Sequence, residues 1–154
     1  MKNVLIKKVS SIDECRKCNR LLEELICFES QFDSSINSDY KINEFYERTL
    51  NRDDSVIFIA THLDNPIGYI MAYKQKPNSA YNGNFISIMN IFVKEDYRNM
   101  NIGTMLIAKV EKWAKSIFDS CFIELDCFVD NKTAIDFYAK LNFQNIRIKM
   151  RKKV

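Results

Sequence analysis

Near the middle of the chain, Phe85-Ile86-Ser87-Ile88-Met89-Asn90-Ile91-Phe92-Val93 carries apolar residues on both of its alternating faces. A strand with one wet face alternates apolar and polar side chains. One that is apolar on both must be covered above and below. This stretch is therefore read as the central strand of a sheet with helices on both sides. Directly after it the chain turns polar, from Lys94 to Asn101, and then Ile102, Met105, Leu106, Val110, Trp113 and Ile117 recur at helical spacing. Buried strand, polar loop and amphipathic helix form one unit, and the remaining elements have to be arranged around it.

Upstream, Val4 to Val9 reads as a first strand. Ser11-x-x-Glu14 has the form of a capping box, and a helix follows it to about Phe28, with Ile12, Cys15, Leu22 and Leu25/Ile26 on its apolar stripe. The polar stretch from Asp33 to Asp39 leads to a second helical segment around Ile42 to Leu50. Ser55 to Thr61 and Ile67 to Tyr73 are β-rich, with a turn at Asp64-Asn65-Pro66, and are read as a hairpin. Downstream, Cys121 to Phe128 is a strand on which Ile123 and Leu125 point one way and Glu124 and Asp126 the other. A short helix spans about Lys132 to Leu141. Ile146, Ile148 and Met150 then alternate with Arg147, Lys149 and Arg151, the pattern of a closing strand with one wet face. Hairpins come first and α/β crossovers last, which predicts an α/β (α+β mixed) fold built on a mixed sheet. The pattern is not that of a dinucleotide-binding fold, because no Gly-x-Gly-x-x-Gly follows the first strand.

Composition sets the limits. At 154 residues, 47% hydrophobic and 28% charged, the chain suits one domain, 1–154, with a real core. Only 3 Gly and 2 Pro leave little room for linkers. A net charge of +3 suits an anionic ligand without demanding nucleic acid, and a solvated strand face explains the basic tail. Met1 to Lys8 returns to charge too soon for a signal peptide, and no apolar run is long enough to span a bilayer. The five cysteines are an odd count in a chain large enough to fold without staples. Reduced thiols and a cytoplasmic setting are the expectation, with no metal site. Cys15-x-x-Cys18 is read as two small residues on the buried face of a helix, and His62 as a satisfied histidine ending a hairpin strand.

The loop before the third helix carries the clearest chemistry. A helix start exposes unpaired N–H groups and the positive end of a dipole, a natural phosphate site. Arg98 adds charge there, and Gly103 allows close approach to the backbone. In its context, Ile91-x-Val93-x-x-x-Tyr97-Arg98-x-x-x-Ile102-Gly103-x-x-Leu106 resembles the central motif of the GNAT superfamily of N-acetyltransferases, Arg/Gln-x-x-Gly-x-Gly/Ala after a strand ending in Val. Asn131-x-x-Ala134-x-x-Phe137-Tyr138-x-x-Leu141-x-Phe143 is similar to the second motif of that superfamily. Asn101 and Asn142 stand where the superfamily has glycine, and Asn is the best non-Gly residue for a left-handed backbone.

The resemblance implies a central, mostly antiparallel sheet of about six to seven strands, splayed between the fourth and fifth, with helices on both faces. It implies acetyl-CoA as acyl donor and cosubstrate. The N–H groups of Asn99, Met100, Asn101, Ile102, Gly103 and Thr104, with Arg98, would hold the pyrophosphate. The edge Ile91-Phe92-Val93 would pair with the pantetheine arm at a bulge, and Asn131 and the Phe137-Tyr138 pair would meet it from the other side. A backbone N–H near Phe92 would stabilise the oxyanion, Asp126 would deprotonate the amine with Glu124 in reserve, and Tyr138 would protonate the leaving thiolate. A strand-face carboxylate and a core aromatic are the plain structural alternatives for these groups. Phe28, Phe32, Tyr40 and Phe45 lie on the segments that cover the acceptor site in that superfamily. The acceptor would be a small-molecule amine or a peptide amine, and the chain a monomer or homodimer with no nucleic-acid or membrane partner. A non-catalytic acyl-CoA-binding regulatory domain is the reading from another class.

Overall fold

A computed structural model describes residues 3–154; Met1 and Lys2, within the expected domain, lie outside the described residues. Five strands form one sheet in chain order: β1 (Val4–Lys8), β2 (Ser55–His62), β3 (Asn65–Lys74), β4 (Phe85–Val93) and β5 (Phe122–Leu125). The first three pairings are antiparallel and the last, β4 with β5, is parallel. The α-helices are α1 (Ile12–Glu29), α2 (Ile102–Ile117) and α3 (Lys132–Lys140). The mixed sheet and flanking helices agree with the expectation.

Alternation along the strands divides the core in two. Ile57, Ile59, Tyr69, Met71 and Phe92 pack with Cys15, Cys18, Leu21, Leu22 and Leu25 of α1. Val56, Ala60, Ile70, Ala72, Ile86 and Ile88 pack on the opposite face with Ile102, Leu106, Ile107, Val110 and Ala114 of α2. Each helix contributes one apolar stripe, and the central strands are covered twice, as their composition requires. Cys15 and Cys18 are fully buried in the first of these clusters. Burial pushes the Cys15 thiol up to about 11 and Cys18 higher still.

α1 begins at the expected capping box, but the return bond falls one residue earlier than the box requires, on Ser10 instead of Ser11. The Ser11 hydroxyl accepts from the Glu14 N–H at 3.3 Å, and the Glu14 carboxylate reaches back to the Ser10 N–H at 2.8 Å. The hairpin turn falls one step earlier than expected. Leu63 and Asp64 both adopt positive φ, 49° and 65°, and His62 pairs with Asn65, a two-residue turn whose twist matches the flanking strands.

Two expected elements are absent. Ile42 to Leu50 contains only a short 3₁₀ turn, Tyr46–Thr49. Its backbone donors are claimed from outside: Ile42 N–H donates to Glu23 Oε1 at 2.8 Å and Tyr46 N–H to Asn19 Oδ1 at 3.2 Å, both acceptors on α1. Amides held by a neighbouring helix are withdrawn from a ladder of their own. The closing strand over Ile146 to Arg151 is also not formed, and the sheet ends at β5, so five strands replace the six to seven expected.

One irregularity organises the centre. Met71 pairs with Asn90 and Ala72 with Ile88, leaving Met89 as an extra residue on β4. Before the bulge, Ile86 and Ile88 face α2. After it, Ile91 and Val93 pack against that same cluster. The extra residue thus resets the alternation and turns Asn90 and Phe92 toward α1. On β3, Gly68 lies opposite Val93, and a Cβ built there would meet the Phe92 carbonyl oxygen at 2.7 Å. Gly68→Ala is expected to destabilise the fold by about 1–3 kcal/mol, because backbone rather than a side-chain tip must yield. Urea unfolding checks this, and a midpoint equal to that of the parent would contradict it.

Candidate active site

Sequence-distant groups meet where β4 and β5 part. Parallel pairing runs from Phe85↔Phe122 only to Ile88↔Leu125, so beyond the bulge that edge of β4 has no strand beside it. The Lys94 N–H donates to the Ile67 carbonyl of β3 at 2.9 Å. Because an antiparallel strand directs alternate residues to alternate neighbours, Phe92 also turns its N–H and carbonyl to β3, and Ile91 and Val93 turn theirs into the gap. The free amides near the expected oxyanion site therefore belong to Ile91 and Val93, on either side of Phe92.

The loop after β4 is built to present donors. Asn99 and Asn101 hold φ of 60° and 61°, the left-handed conformation expected of Asn101, and Asn142 does the same after α3 at 65°. Asn101 starts α2 without capping it by its side chain. Among the described residues, the N–H groups from Asn99 through Thr104 donate to no backbone or side-chain acceptor. They sit at the positive end of a helix dipole, which suits an anionic group such as pyrophosphate.

Arg98 has a more structural position than its expected role implies. Its Nε donates to the Val93 carbonyl at 3.1 Å, and its guanidinium lies 4.6 Å from the Phe28 ring centroid and 5.9 Å from that of Phe92. It pins the loop to the end of α1 and leaves its terminal nitrogens without a protein acceptor among the described residues. Gly103 also differs from expectation: a Cβ there would meet the Phe137 ring at 2.9 Å, so the small residue admits Phe137 of α3 onto the first turn of α2.

Opposite β4, Asn131 caps α3, its Oδ1 accepting from the Ala134 N–H at 3.1 Å. Its amide NH₂ has no acceptor among the described residues. Tyr138 packs between Phe137 and Phe143, with ring centroids 5.3 and 5.8 Å away. It lines a cavity with Leu25, Glu29, Asn90, Leu125 and Asp126. Burial, reinforced by Cys127 and Glu29, pushes its hydroxyl well above the usual phenol range, so it stays protonated at neutral pH. Asp126 stands at the exposed rim of that cavity. Glu124 is elsewhere, half-buried and accepting from Gln75 Nε2 at 3.1 Å. It is not among the residues of this cavity.

Glu29 and Asn90 escaped the sequence reading. Glu29 ends α1, has no ion-pair or hydrogen-bond partner among the described residues, and burial raises its carboxyl above the ordinary value. Asn90 Oδ1 accepts from the Tyr46 hydroxyl at 3.0 Å, which in turn accepts from Tyr69 at 3.0 Å. This buried relay ends at the cavity. An acid at the last position of an amphipathic helix was the only signal for Glu29, and it is weak. His62 stays outside the site, with Nδ1 3.4 Å from the Tyr97 hydroxyl. Of the aromatics expected over the acceptor site, Phe32 stacks on Phe128 at 6.0 Å, Phe45 meets Tyr46 edge-on, and Tyr40 is exposed.

A splayed sheet, a donor-rich helix start and a cavity lined by Glu29, Asp126 and Tyr138 make up the candidate site. The family model described as "Acetyltransferase (GNAT) family" matches residues 19–143, and the chain belongs to that family. It is an N-acetyltransferase with acetyl-CoA as donor. The chain is 27% identical over 149 residues to an N-alpha-acetyltransferase of Sulfurisphaera tokodaii, covering 92% of this chain and 79% of that protein. It is 28% identical to an N-alpha-acetyltransferase of Saccharolobus solfataricus with the same coverage. In fold it is similar to the BH1408 protein from Bacillus halodurans, with a TM-score of 0.83 at 15% identity over 97% of this chain and 99% of that one. It is also similar to an aminoglycoside N-acetyltransferase, AAC(6')-Iy, in complex with CoA, with a TM-score of 0.72 at 19% identity over 98% and 95% of the two chains. No helix among the described residues is long and apolar enough to cross a membrane.

The cap on α3 can be separated from any second use of Asn131. Asn131→Ala is expected to cost about 1 kcal/mol of stability, while Asn131→Asp keeps the accepting oxygen and melts close to the parent. Thermal melts of the two variants check this, and equal losses in both would mean that the cap is not the stabilising contact.

Proposed function

We propose that this chain moves the acetyl group of acetyl-CoA directly to the α-amine of a peptide or protein N-terminus within a ternary complex. The observation that carries the reading is the gap between β4 and β5, lined by Tyr138 and by Glu29, which has no partner among the described residues, with Asp126 at its rim. The free amides of Asn99 to Thr104 and the terminal nitrogens of Arg98 would hold the pyrophosphate, and the open edge at Ile91 and Val93, with the Asn131 amide, would hold the pantetheine arm. Bound there, acetyl-CoA supplies a thioester carbonyl activated toward amines.

An α-amine has a pKa of about 8, against about 10.4 for a lysine, so a modest base suffices to free it at neutral pH. Glu29 serves as that base, directly or through water, because its raised carboxyl stands closer to the amine's pKa than an ordinary carboxylate would. Asp126 attracts the incoming ammonium at the rim. The freed nitrogen attacks the carbonyl carbon, and the Ile91 or Val93 N–H stabilises the negative charge that develops on its oxygen. The C–S bond breaks, the Tyr138 hydroxyl gives its proton to the departing sulfur, and the proton that the new amide nitrogen sheds returns to the phenolate, directly or through water. The curated relatives favour an α-amine acceptor, since they carry that activity in their names and align over most of this chain. The aminoglycoside enzymes share the fold and support a small-amine reading only at that level. Incubation with acetyl-CoA and a panel of peptides, lysine-blocked peptides and aminoglycosides, read by mass spectrometry, decides between them. Acetylation confined to aminoglycosides would overturn the peptide reading.

Glu29→Gln is expected to lower kcat/KM by about 10²-fold or more, and Asp126→Asn by less. The parent's activity should fall on acidification above the ordinary carboxylate range, because Glu29 must be ionised to act. Stability moves the other way. A carboxyl raised in the folded state binds its proton more tightly there, so its contribution is full below the unfolded value and lost as pH rises through the folded one. Glu29→Gln should therefore raise the melting temperature at neutral pH and leave it unchanged in strong acid. A variant that keeps full activity would remove Glu29 from the mechanism. Tyr138→Phe keeps the ring and is expected to lower kcat about tenfold with an unchanged melting curve. Paired turnover and melting measurements check it, since a matched loss of stability would assign Tyr138 to packing alone.

A further inference from the structure

Three polar groups lie in a row behind the cavity, and their protons can be counted. Tyr69 and Tyr46 are fully buried, with hydroxyl oxygens 3.0 Å apart, and the Tyr46 hydroxyl stands 3.0 Å from Asn90 Oδ1. Burial raises both phenols well above their usual range, so each keeps its proton. A phenol has one proton to give. With Tyr69 donating to Tyr46 and Tyr46 to the Asn90 oxygen, both hydroxyl protons have an acceptor. With the Asn90 amide turned round, its nitrogen would donate to Tyr46 and Tyr46 to Tyr69. The Tyr69 proton would then have no acceptor among the described residues, at a place closed to water. A stranded buried donor is costly, so the row fixes which end of Asn90 meets Tyr46, and that end is the oxygen.

The amide nitrogen is left for the cavity. Asn90 lines it together with Glu29, Asp126 and Tyr138, and the Asn90 NH₂ donates to no acceptor among the described residues. Of the lining side chains, only Tyr138 and Asn90 carry a donor at neutral pH, and the Tyr138 proton goes to the departing sulfur. An amide neither takes a proton from an amine nor attracts its charge, but it can hold an oxygen. The thioester oxygen already has the Ile91 and Val93 N–H groups, so the oxygen left for Asn90 belongs to the acceptor. An α-amino acyl group carries one beside its amine, with the carbonyl oxygen about 3 Å from the nitrogen. A lysine side chain and an amino sugar have no carbonyl at that place.

We propose that Asn90 Nδ2 donates to the first carbonyl oxygen of the acceptor, so that the cavity recognises an amine and the carbonyl next to it as one unit. Asn90 then touches substrate, and Tyr46 and Tyr69 are positioning residues that keep its nitrogen turned inward. The inference rests on the peptide reading above and adds a group that selects an α-amine over the amine of a lysine side chain. A site built to pair a substrate group discriminates against an analogue that lacks it, because the site's own polar group is left unpaired.

Steady-state kinetics with a peptide and a matched analogue test this. In the analogue a trans double bond replaces the first peptide bond, which keeps the shape and the amine and removes the carbonyl oxygen. The parent is expected to favour the peptide by about tenfold in kcat/KM, carried mostly by KM. Asn90→Ala is expected to lose that preference. Tyr46→Phe, which keeps the ring but frees the amide to turn, is expected to lose part of it. A preference that survives in Asn90→Ala, or that the parent lacks, overturns the proposal. So does an equal loss of kcat on both substrates, which would assign the amide to the thioester oxygen. Turnover of aminoglycosides alone overturns the peptide reading and this inference with it, and that failure is recognised by the absence of any acetylated peptide. A measurement on the parent needs no variant to fold. In its complex with CoA, the Asn90 side-chain amide protons should shift in NMR spectra when the peptide is added and stay in place with the analogue. Protons that ignore the peptide, or respond equally to both, overturn the assignment.

Discussion

The site depends on one bulge. By inserting Met89, β4 changes the parity of every residue after it, and this happens where its pairing with β5 stops. Had the alternation continued unbroken, Asn90 and Phe92 would face α2, and Ile91 and Val93 would face α1. The Tyr69–Tyr46–Asn90 relay could not form, and Phe92 could not join the core under α1. The bulge therefore sets which backbone groups open into the gap and which side chains line it. Bulges bend and twist the strand that carries them, which also explains why two parallel neighbours diverge instead of pairing to their ends.

The second constraint is the crowding of the β4–α2 loop. Arg98 is held by the Val93 carbonyl and lies over Phe28, so the loop, the end of β4 and the end of α1 move as one unit. Asn99 and Asn101 supply the left-handed turns that aim successive N–H groups outward. Each costs more in that conformation than glycine would, but Asn also narrows the unfolded ensemble, so less backbone entropy is lost on folding. The chain has 3 glycines in all and places one, Gly103, where Phe137 needs the room. Its two asparagine positions do the conformational work elsewhere in the loop.

Much of this was legible in the sequence because it rests on local periodicity. The doubly covered β4, the stripe on α2, the capping box of α1 and the left-handed asparagines all follow from side-chain pattern and backbone sterics. What was not legible depends on distant partners. The stretch from Ile42 to Leu50 has a helical pattern, yet Glu23 and Asn19 capture its amides from across a helix–loop contact. The tail from Ile146 to Arg151 has a strand pattern, but a strand is defined by a neighbour, and among the described residues it has none. Glu29 could not be singled out either. Its significance lies in being a carboxylate at the buried end of α1 that faces Tyr138 and Asn90 across a cavity, and nothing in its immediate sequence encodes that.

Glu29 and Tyr138 also show how the fold arranges groups that raise its own free energy. A half-buried carboxylate without a partner among the described residues is disfavoured by desolvation at Glu29, and at Tyr138 desolvation disfavours the phenolate. They are tolerated because their surroundings are rigid: Glu29 closes an 18-residue helix packed on the sheet, and Tyr138 is wedged between Phe137 and Phe143. The same desolvation raises both groups' affinity for protons. It leaves one carboxylate that accepts a proton more readily than an ordinary one, and one phenol that holds its proton at neutral pH until the C–S bond breaks beside it. At Glu29 the cost of burial and the capacity for proton transfer are thus two consequences of one placement, which is why relieving the first there should weaken the second.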